Sequence, residues 1–413
     1  MGGCVAMSAS AQETKQSQDL SVELNPVVVT GTGTHHRLKD TPTPVEVVTA
    51  NDIKKAGITD FREAMTALVP SLSFSTNSMG DYLMLNGLSN KYVLILINGK
   101  KLTGDSSNNI DLNRIDMSNV KRIEVLKGAG SALYGSDAIG GVINIITNQP
   151  INDITVTSNT KVEERGQFTQ TANVDIKTEK FASYTSYQRR QADGWTLTRV
   201  DADGEARDQH DANAFYTDNY TQMFQFTPND KLSMYVEGSY YDRTVKRQPE
   251  YLKYNLTYDA YSLGAGAKYN FNKRSYIQFD IKNDNYDTNY LYTNEDGDNK
   301  VGDEVRQKRQ HYYSGNLKSL FRFTENTRTI FGVEYIQETL DRPSFNVDER
   351  AYTWATYAQE EITLFKNLQI QAGLRYVYHE TAKSNVTPKL AVMYRLGDFT
   401  IRGQYSAGFR APG

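Results

Sequence analysis

After about residue 151 apolar and polar residues alternate one by one. Between 368 and 378, Leu368, Ile370, Ala372, Leu374, Tyr376 and Tyr378 fall on one face, and Gln369, Gln371 and Arg375 on the other. A period of two sends successive side chains to opposite faces of a strand. The same alternation sets Leu232, Met234 and Val236 against Ser233 and Glu237, and Ile277, Phe279 and Ile281 against Gln278, Asp280 and Lys282. Near the end, Phe399, Ile401, Tyr405 and Phe409 oppose Thr400, Arg402 and Gln404. One face is apolar and the other charged. The pattern predicts about 13 strands, near 151–160, 167–178, 181–191, 213–228, 231–243, 258–270, 273–286, 310–323, 326–340, 351–365, 367–380, 384–396 and 398–410.

The links between these strands alternate too. Tight turns fall at Glu179-Lys180, Pro228-Asn229-Asp230, Asn270 to Lys273, Thr324-Glu325-Asn326, Phe365-Lys366-Asn367 and Leu396-Gly397-Asp398. Long polar links fall at 192–212, 244–257, 287–309 and 341–350, with 161–166 and 381–383 shorter. Short turns on one rim and long loops on the other describe a transmembrane antiparallel β-barrel. A soluble β-sandwich also alternates, but it does not ordinarily need strands of this length, a repeatedly charged inner face and one-sided loops together. Single-chain bacterial barrels have even strand numbers, so a count near 13 predicts that strands are missing.

Residues 24–150 show a different pattern, that of a compact α+β domain. Residues 60–68 fit a short helix capped by Thr59 or Asp60, with Pro70 beyond its end. Tyr92 to Ile97 forms a buried strand, followed by Asn98-Gly99, a strong two-residue hairpin signal. Val120 to Lys127 is a second strand, leading through Gly128-Ala129-Gly130 into a short helix and Gly135, and Val142 to Thr147 is a third. Those glycines miss the dinucleotide fingerprint and no Gly-Lys-Ser/Thr follows, so no cofactor is expected. No Ser/His/Asp trio, carboxylate pair or Cys/His cluster stands at a spacing that demands catalysis, and the chain is read as no enzyme.

Composition sharpens the division. Of 28 tyrosines, 3 precede residue 150 and 25 follow it, as suits aromatic girdles at membrane interfaces. A hydrophobic content of 38%, with no run of 18 apolar residues, excludes a helical membrane protein. The 46 basic against 49 acidic residues leave a net charge of -3 and no excess for a nucleic-acid partner. One cysteine, Cys4, gives no disulfide framework. Ala9-Ser10-Ala11 has the small-residue pattern of a signal-peptidase site, so 1–11 reads as the tail of an export signal.

LYGSDAIGGVINIIT at 133–147, with YVLILINGKKL at 92–102 and VKRIEVLKG at 120–128, resembles the plug domain of TonB-dependent outer-membrane receptors, and FRAP at 409–412 resembles a box in several of their barrels, haem receptors among them. Two departures stand out. Asn86-Gly87 replaces the family's usual Arg-Gly, and Lys127-Gly128-Ala129 its usual Arg-Gly-Pro, so the buried charge pairs of the family are expected to differ here. Family barrels have 22 strands around the plug, which would leave about nine absent.

The resemblance implies a periplasmic segment at 12–31, a plug at 32–150 and barrel strands at 151–413, in a monomer embedded in outer-membrane lipid. It implies energy-coupled uptake of a scarce metal complex, haem or a ferric siderophore, with cobalamin as the alternative. A truncated, non-transporting fragment and a passive porin or adhesin are the competing readings. Asn25-Pro26-Val27-Val28-Val29-Thr30-Gly31 would hold the TonB box, with Val27, Val28, Val29 and Thr30 pairing with TonB by strand addition. Ligand contacts are expected on the plug's outward loops, at Thr76, Asn77, Ser78, Met79 and Asp81 and at Thr103, Asp105 and Asn108. His210, His311 and His379 fall near the long-loop rim, where neutral imidazole would suit haem iron. The acid-rich loops 201–204 and 295–298 are candidate calcium loops, although they lack EF-hand spacing.

Overall fold

Strand-period alternation builds one continuous antiparallel sheet in chain order. Its members are β1 (Ile154–Val162), β2 (Phe168–Lys177), β3 (Phe181–Ala192), β4 (Ala214–Asn229), β5 (Leu232–Lys246), β6 (Tyr254–Asn272), β7 (Ser275–Tyr292), β8 (Glu304–Phe321), β9 (Thr327–Arg342), β10 (Val347–Leu364), β11 (Leu368–His379), β12 (Lys383–Leu396) and β13 (Phe399–Ser406). This computed structural model describes residues 5–9, 26–77, 80–106, 109–200, 203–247, 252–397 and 399–411. No helix among them is long and apolar enough to cross a membrane, which says nothing of strands.

The thirteen strands agree with the pattern in number, but several run further than expected. β7 reaches Tyr292 and β8 starts at Glu304, so the link expected at 287–309 shrinks to 293–303. β5, β6, β9 and β10 likewise extend into 244–257 and 341–350. The link at 192–212 carries its own hairpin, Trp195–Val200 against Ala206–Ala212. In the extensions the outward face turns polar, so the apolar half of the alternation disappears while the backbone pairing continues. Phe409 departs from the expected alternation: β13 ends at Ser406, and Phe409 N donates to Ser131 Oγ at 3.2 Å. Val5–Ala9 adds to the outer side of β1, Val5 opposite Val162 and Ala9 opposite Ser158. An edge with unpaired N–H and C=O groups accepts an extended segment in this way. The rest of the expected export signal, 1–4 and 10–11, lies outside the described residues.

The plug is built on a mixed sheet in the order Val45–Thr49, Val120–Lys127, Gly141–Thr147, Val93–Ile97, Lys100–Lys101. Asn98 (φ 51°) and Gly99 (φ 80°) make the hairpin with two left-handed residues. The helix Phe61–Leu68 is capped by Asp60, whose carboxylate accepts from Glu63 N at 3.0 Å. Phe61, Ala64 and Met65 pack from it against Leu83, Val93, Ile95, Ile123 and Ile143.

Inward side chains of the wall meet this domain from β2 to β13. Asn173 of β2 bonds Ser118, Asn219 of β4 bonds Asn113 O, Gln310 of β8 bonds Asp105 N, and Arg402 of β13 bonds Thr41 O. The outward face carries exposed Phe224, Val236, Leu263, Phe279, Ile281, Leu317 and Phe331.

Candidate functional site

Val27 and Val28 pair antiparallel with Arg37 and His36. Four successive β-branched residues, Val27 to Thr30, favour this extended course. Val28 is buried with Val45, Leu94, Leu96, Leu126, Ala138 and Val142. Thr30 is fully enclosed. The buried Glu124 carboxylate closes over the segment. Its Oε2 accepts from Val29 N at 2.9 Å, Thr30 N at 2.8 Å and Thr30 Oγ1 at 2.6 Å, while Arg122 Nε holds Oε1 at 2.8 Å. Asn144 donates to Thr30 Oγ1 and the Tyr134 hydroxyl donates to Thr30 O. Pro26 O accepts from Leu38 N, and the adjoining Lys39–Thr41 stretch meets Arg395 and Arg402 beside the 396–399 turn. The segment therefore enters from the short-turn rim. Asn25 lies outside the described residues.

The next residues bind the wall. His36 Nε2 lies 2.9 Å from Glu361 Oε2, Thr43 Oγ1 donates to Gln371 at 3.1 Å, and Arg395 pairs with Asp40 at 2.7 Å.

At mid-height a second set of contacts joins plug to wall. Buried Asp111 accepts from the Tyr241 hydroxyl at 2.6 Å and the Tyr286 hydroxyl at 2.9 Å, with Arg243 at 3.3 Å. Burial would raise its pKa, but the Arg243 charge and the bonds from Tyr241, Asn113 and Tyr286 hold it below the usual carboxylate value. Arg114 pairs with Asp284 at 2.7 Å and donates to Thr103 O. Lys101 reaches Asp137 at 3.1 Å and Glu338 at 3.2 Å. Burial alone would lower the Lys101 pKa, but the two carboxylates carry it well above the ordinary lysine value. Beside this belt, Ile97, Lys100, Leu102, Arg114, Tyr184 and Glu237 help line a cavity of about 140 Å³ between plug and wall.

Of the expected ligand residues with described side chains, Thr103 and Asp105 turn to the wall. Thr76 pairs with Asp81 and Asn77 with Gly80 in a hairpin, while Ser78 and Met79 lie outside the described residues. Thr103 Oγ1 donates to Asp284 at 2.5 Å, and Asp105 forms an ion pair with Lys308. Both therefore fasten their loop to the wall; Asn108 lies outside the described residues. The three histidines do not converge. His379 is buried and its Nδ1 accepts from Thr381 N and Ala382 N, which caps the 379–383 turn. His311 stacks on Tyr313 on the outward face, since inward neighbours Gln310 and Lys308 are the ones that reach the plug. His210 lies in the 206–212 strand of the outer hairpin. No group of three or more His, Cys, Asp or Glu side chains arranged to hold a metal occurs among the described residues, and 201–202 lie outside them. Sequence reading missed Glu124, Asp111, Arg243, Asp284, Gln359 and Arg375. Glu124, Arg243, Asp284 and Arg375 are marked in the sequence only as lone charges within strands, Gln359 only as a neutral polar residue in one, and Asp111 lies just ahead of a short 3-10 turn.

Residues 37–142 match the family model of the TonB-dependent Receptor Plug Domain, and residues 167–413 match that of the TonB dependent receptor-like beta-barrel. The chain is 24% identical over its full length to the iron-regulated outer membrane virulence protein of Vibrio cholerae, covering 63% of that protein. It is 24% identical to the vitamin B12 transporter BtuB of the same organism, over 94% of this chain and 62% of that one. The siderophore receptor PirA of Pseudomonas aeruginosa superposes with a TM-score of 0.67 at 20% identity, over 89% of this chain and 62% of that one. The chain thus spans about 63% of the length of the curated relatives it matches. With both family models matched in order and the plug seated against the wall, the chain belongs to the TonB-dependent receptors of the outer membrane.

Proposed function

We propose that this chain works as the plug and wall of an active receptor that imports a scarce metal complex, a ferric siderophore by preference. The observation that carries the reading is a folded domain bonded to wall strands from β2 to β13, with Val27–Thr30 entering at the short-turn rim. Such a domain blocks passive flow, and the outer membrane has no ATP. Work has to arrive as a pull, and strand addition of TonB to Val27–Thr30 supplies main-chain bonds able to bear it. Because Val28 and Thr30 are buried, the pull acts after the Glu124 bonds open.

Loops 76–81 and 103–109 are the proposed capture surface, with Thr103 and Asp105 seating the second loop. The placement of His311 and His379 takes support from haem. An iron-regulated relative and a siderophore receptor as structural neighbour favour a ferric siderophore. A vitamin B12 transporter among the relatives keeps cobalamin as the second reading. The test is growth of a strain lacking this gene on a ferric siderophore, haem or cobalamin as sole source. Loss on the siderophore alone is expected. Loss on cobalamin alone selects the second reading, and uptake that persists without TonB overturns the mechanism.

A further inference from the structure

Gly31, Thr32 and Gly33 present three successive carbonyls to the wall, and each is met from a different strand. Lys389 Nζ of β12 donates to Gly31 O at 2.8 Å, Gln359 Nε2 of β10 to Thr32 O at 2.6 Å, and Lys318 Nζ of β8 to Gly33 O at 2.5 Å. Lys389 and Gln359 are each 3% exposed. Among the described residues neither lysine enters an ion pair, so the carbonyls are the direct acceptors of the buried Lys389 and half-buried Lys318 ammonium groups. The plug side is shaped for this approach. A Cβ on Gly31 would lie 2.9 Å from Val45 Cγ2 and 3.0 Å from Thr43 O, and Gly33 holds φ at 74°.

We propose that Lys389, Gln359 and Lys318 form a wall cradle that grips the Gly31–Gly33 backbone and governs release of the adjoining Val27–Thr30 to a partner strand. The inference rests on the receptor reading above and adds what holds the segment at rest. Its grip is on backbone carbonyls, so it does not depend on the side chains of the held residues. Drawing Val27–Thr30 outward by a residue or two strips all three donors at once. The two ammonium groups then face the lumen without acceptors, which favours return of the segment once the pull ends. The cradle residues are positioning residues: they touch the plug, not the cargo.

The test uses the whole receptor in isolated outer membranes, with Cys4→Ser and a Val29→Cys reporter, and follows the rate of maleimide labelling. Lys389→Met and Lys318→Met, which remove the donor and keep the chain length, are expected to raise the rate about tenfold or more. Lys389→Arg keeps charged N–H donors within reach and stays near the parent rate, whereas a role in packing alone predicts that it fails with the methionine variant. Gly31→Ala leaves the wall intact and intrudes from the plug side; it is expected to accelerate labelling as well. Lys253→Met, in the exposed pair with Asp296 outside the plug, leaves the rate unchanged. Unchanged labelling in both methionine variants overturns the cradle, as does a Lys389→Arg rate equal to that of Lys389→Met. Binding of a purified TonB periplasmic domain to the same membranes separates the two readings. Faster labelling without TonB binding in any variant keeps the cradle and removes the partner. TonB binding with unchanged labelling keeps the partner and removes the cradle.

Discussion

Asp111 shows how one carboxylate can seat a domain. Two wall tyrosines and Arg243, from β5 and β7, converge on it together with the nearby Asn113 amide. Removing it by Asp111→Ala strands a buried guanidinium, which costs about 3–5 kcal/mol of plug seating. Urea titration of the detergent-solubilised receptor measures this. Its folded pKa lies below the unfolded value, so its contribution is complete above about pH 4 and is lost as the pH falls through the folded value. Plug seating in the parent therefore weakens only in strong acid, and the Asp111→Asn variant loses that part of the acid dependence. A second single-residue prediction concerns Gly135, held at φ 79° against a wall guanidinium. Arg375 donates to Leu133 O, pairs with Glu334 and lies over the Tyr357 ring at 5.3 Å. A Cβ at 135 would meet its Nη2 at 2.9 Å, so Gly135→Ala combines a clash with left-handed strain of about 1–3 kcal/mol. This guanidinium also bears on the departures from the family pattern. Asn86 sits in a turn at φ 51° and Lys127 pairs with Glu46 inside the plug, while Arg375 brings a further buried guanidinium in from the wall.

Among elements, Val27–Thr30 is the one whose proposed function requires it to leave its seat. Proline at 28 cannot donate to a strand partner and disfavours the backbone pairing that His36 makes and that is proposed for TonB. The expected outcome of Val28→Pro in the whole receptor is loss of uptake with cell-surface ligand binding kept; unchanged uptake removes this segment as the box. Its extended course was legible because four β-branched residues in a row need no distant context. The helix at 61–68, the strand at 120–127 and the Asn98-Gly99 turn were legible for the same reason: cap, alternation and turn chemistry are all local. Val45–Thr49 and the helix Ala50–Lys55 were not picked out, although Thr49 and Asp52 form a capping box, because the helix is too short to show a helical period. The seat itself was illegible. Glu124, Gln359 and Lys389 lie 94, 327 and 358 residues from the groups they hold, and no local pattern carries such a pairing.

At the scale of the molecule, the register of the wall marks where hydrocarbon ends. Asp218 stands opposite Asp242, Asp242 opposite Asp259, and Asp259 opposite Asp287, one outward row across β4 to β7. Arg189 closes one end of the row at 2.8 Å from Asp218, and Arg309 the other at 2.5 Å from Asp287. Four carboxylates side by side repel one another and have no place among acyl chains, so the row belongs at or above the headgroups. Below it, the outward positions of β6 are Tyr261, Leu263, Ala265, Ala267, Tyr269 and Phe271. That span matches the roughly 9–11 residues a tilted strand needs to cross the bilayer, and it begins and ends with aromatic rings. Two substitutions test the height. Ala265→Arg places a charge near the midplane and is expected to cost about 2–4 kcal/mol on folding into lipid vesicles. Asp242→Arg places the same charge in the acidic row, where the depth penalty falls to about 0–1 kcal/mol and relief from Asp218 and Asp259 offsets it. Urea titrations of the whole receptor in those vesicles should separate the two by at least about 2 kcal/mol. Equal costs would mean that the acyl chains reach the aspartates, and the wall residues that hold Asp111, which flank Asp242 and Asp287 in register, would then lie inside the hydrocarbon span rather than at its outer edge.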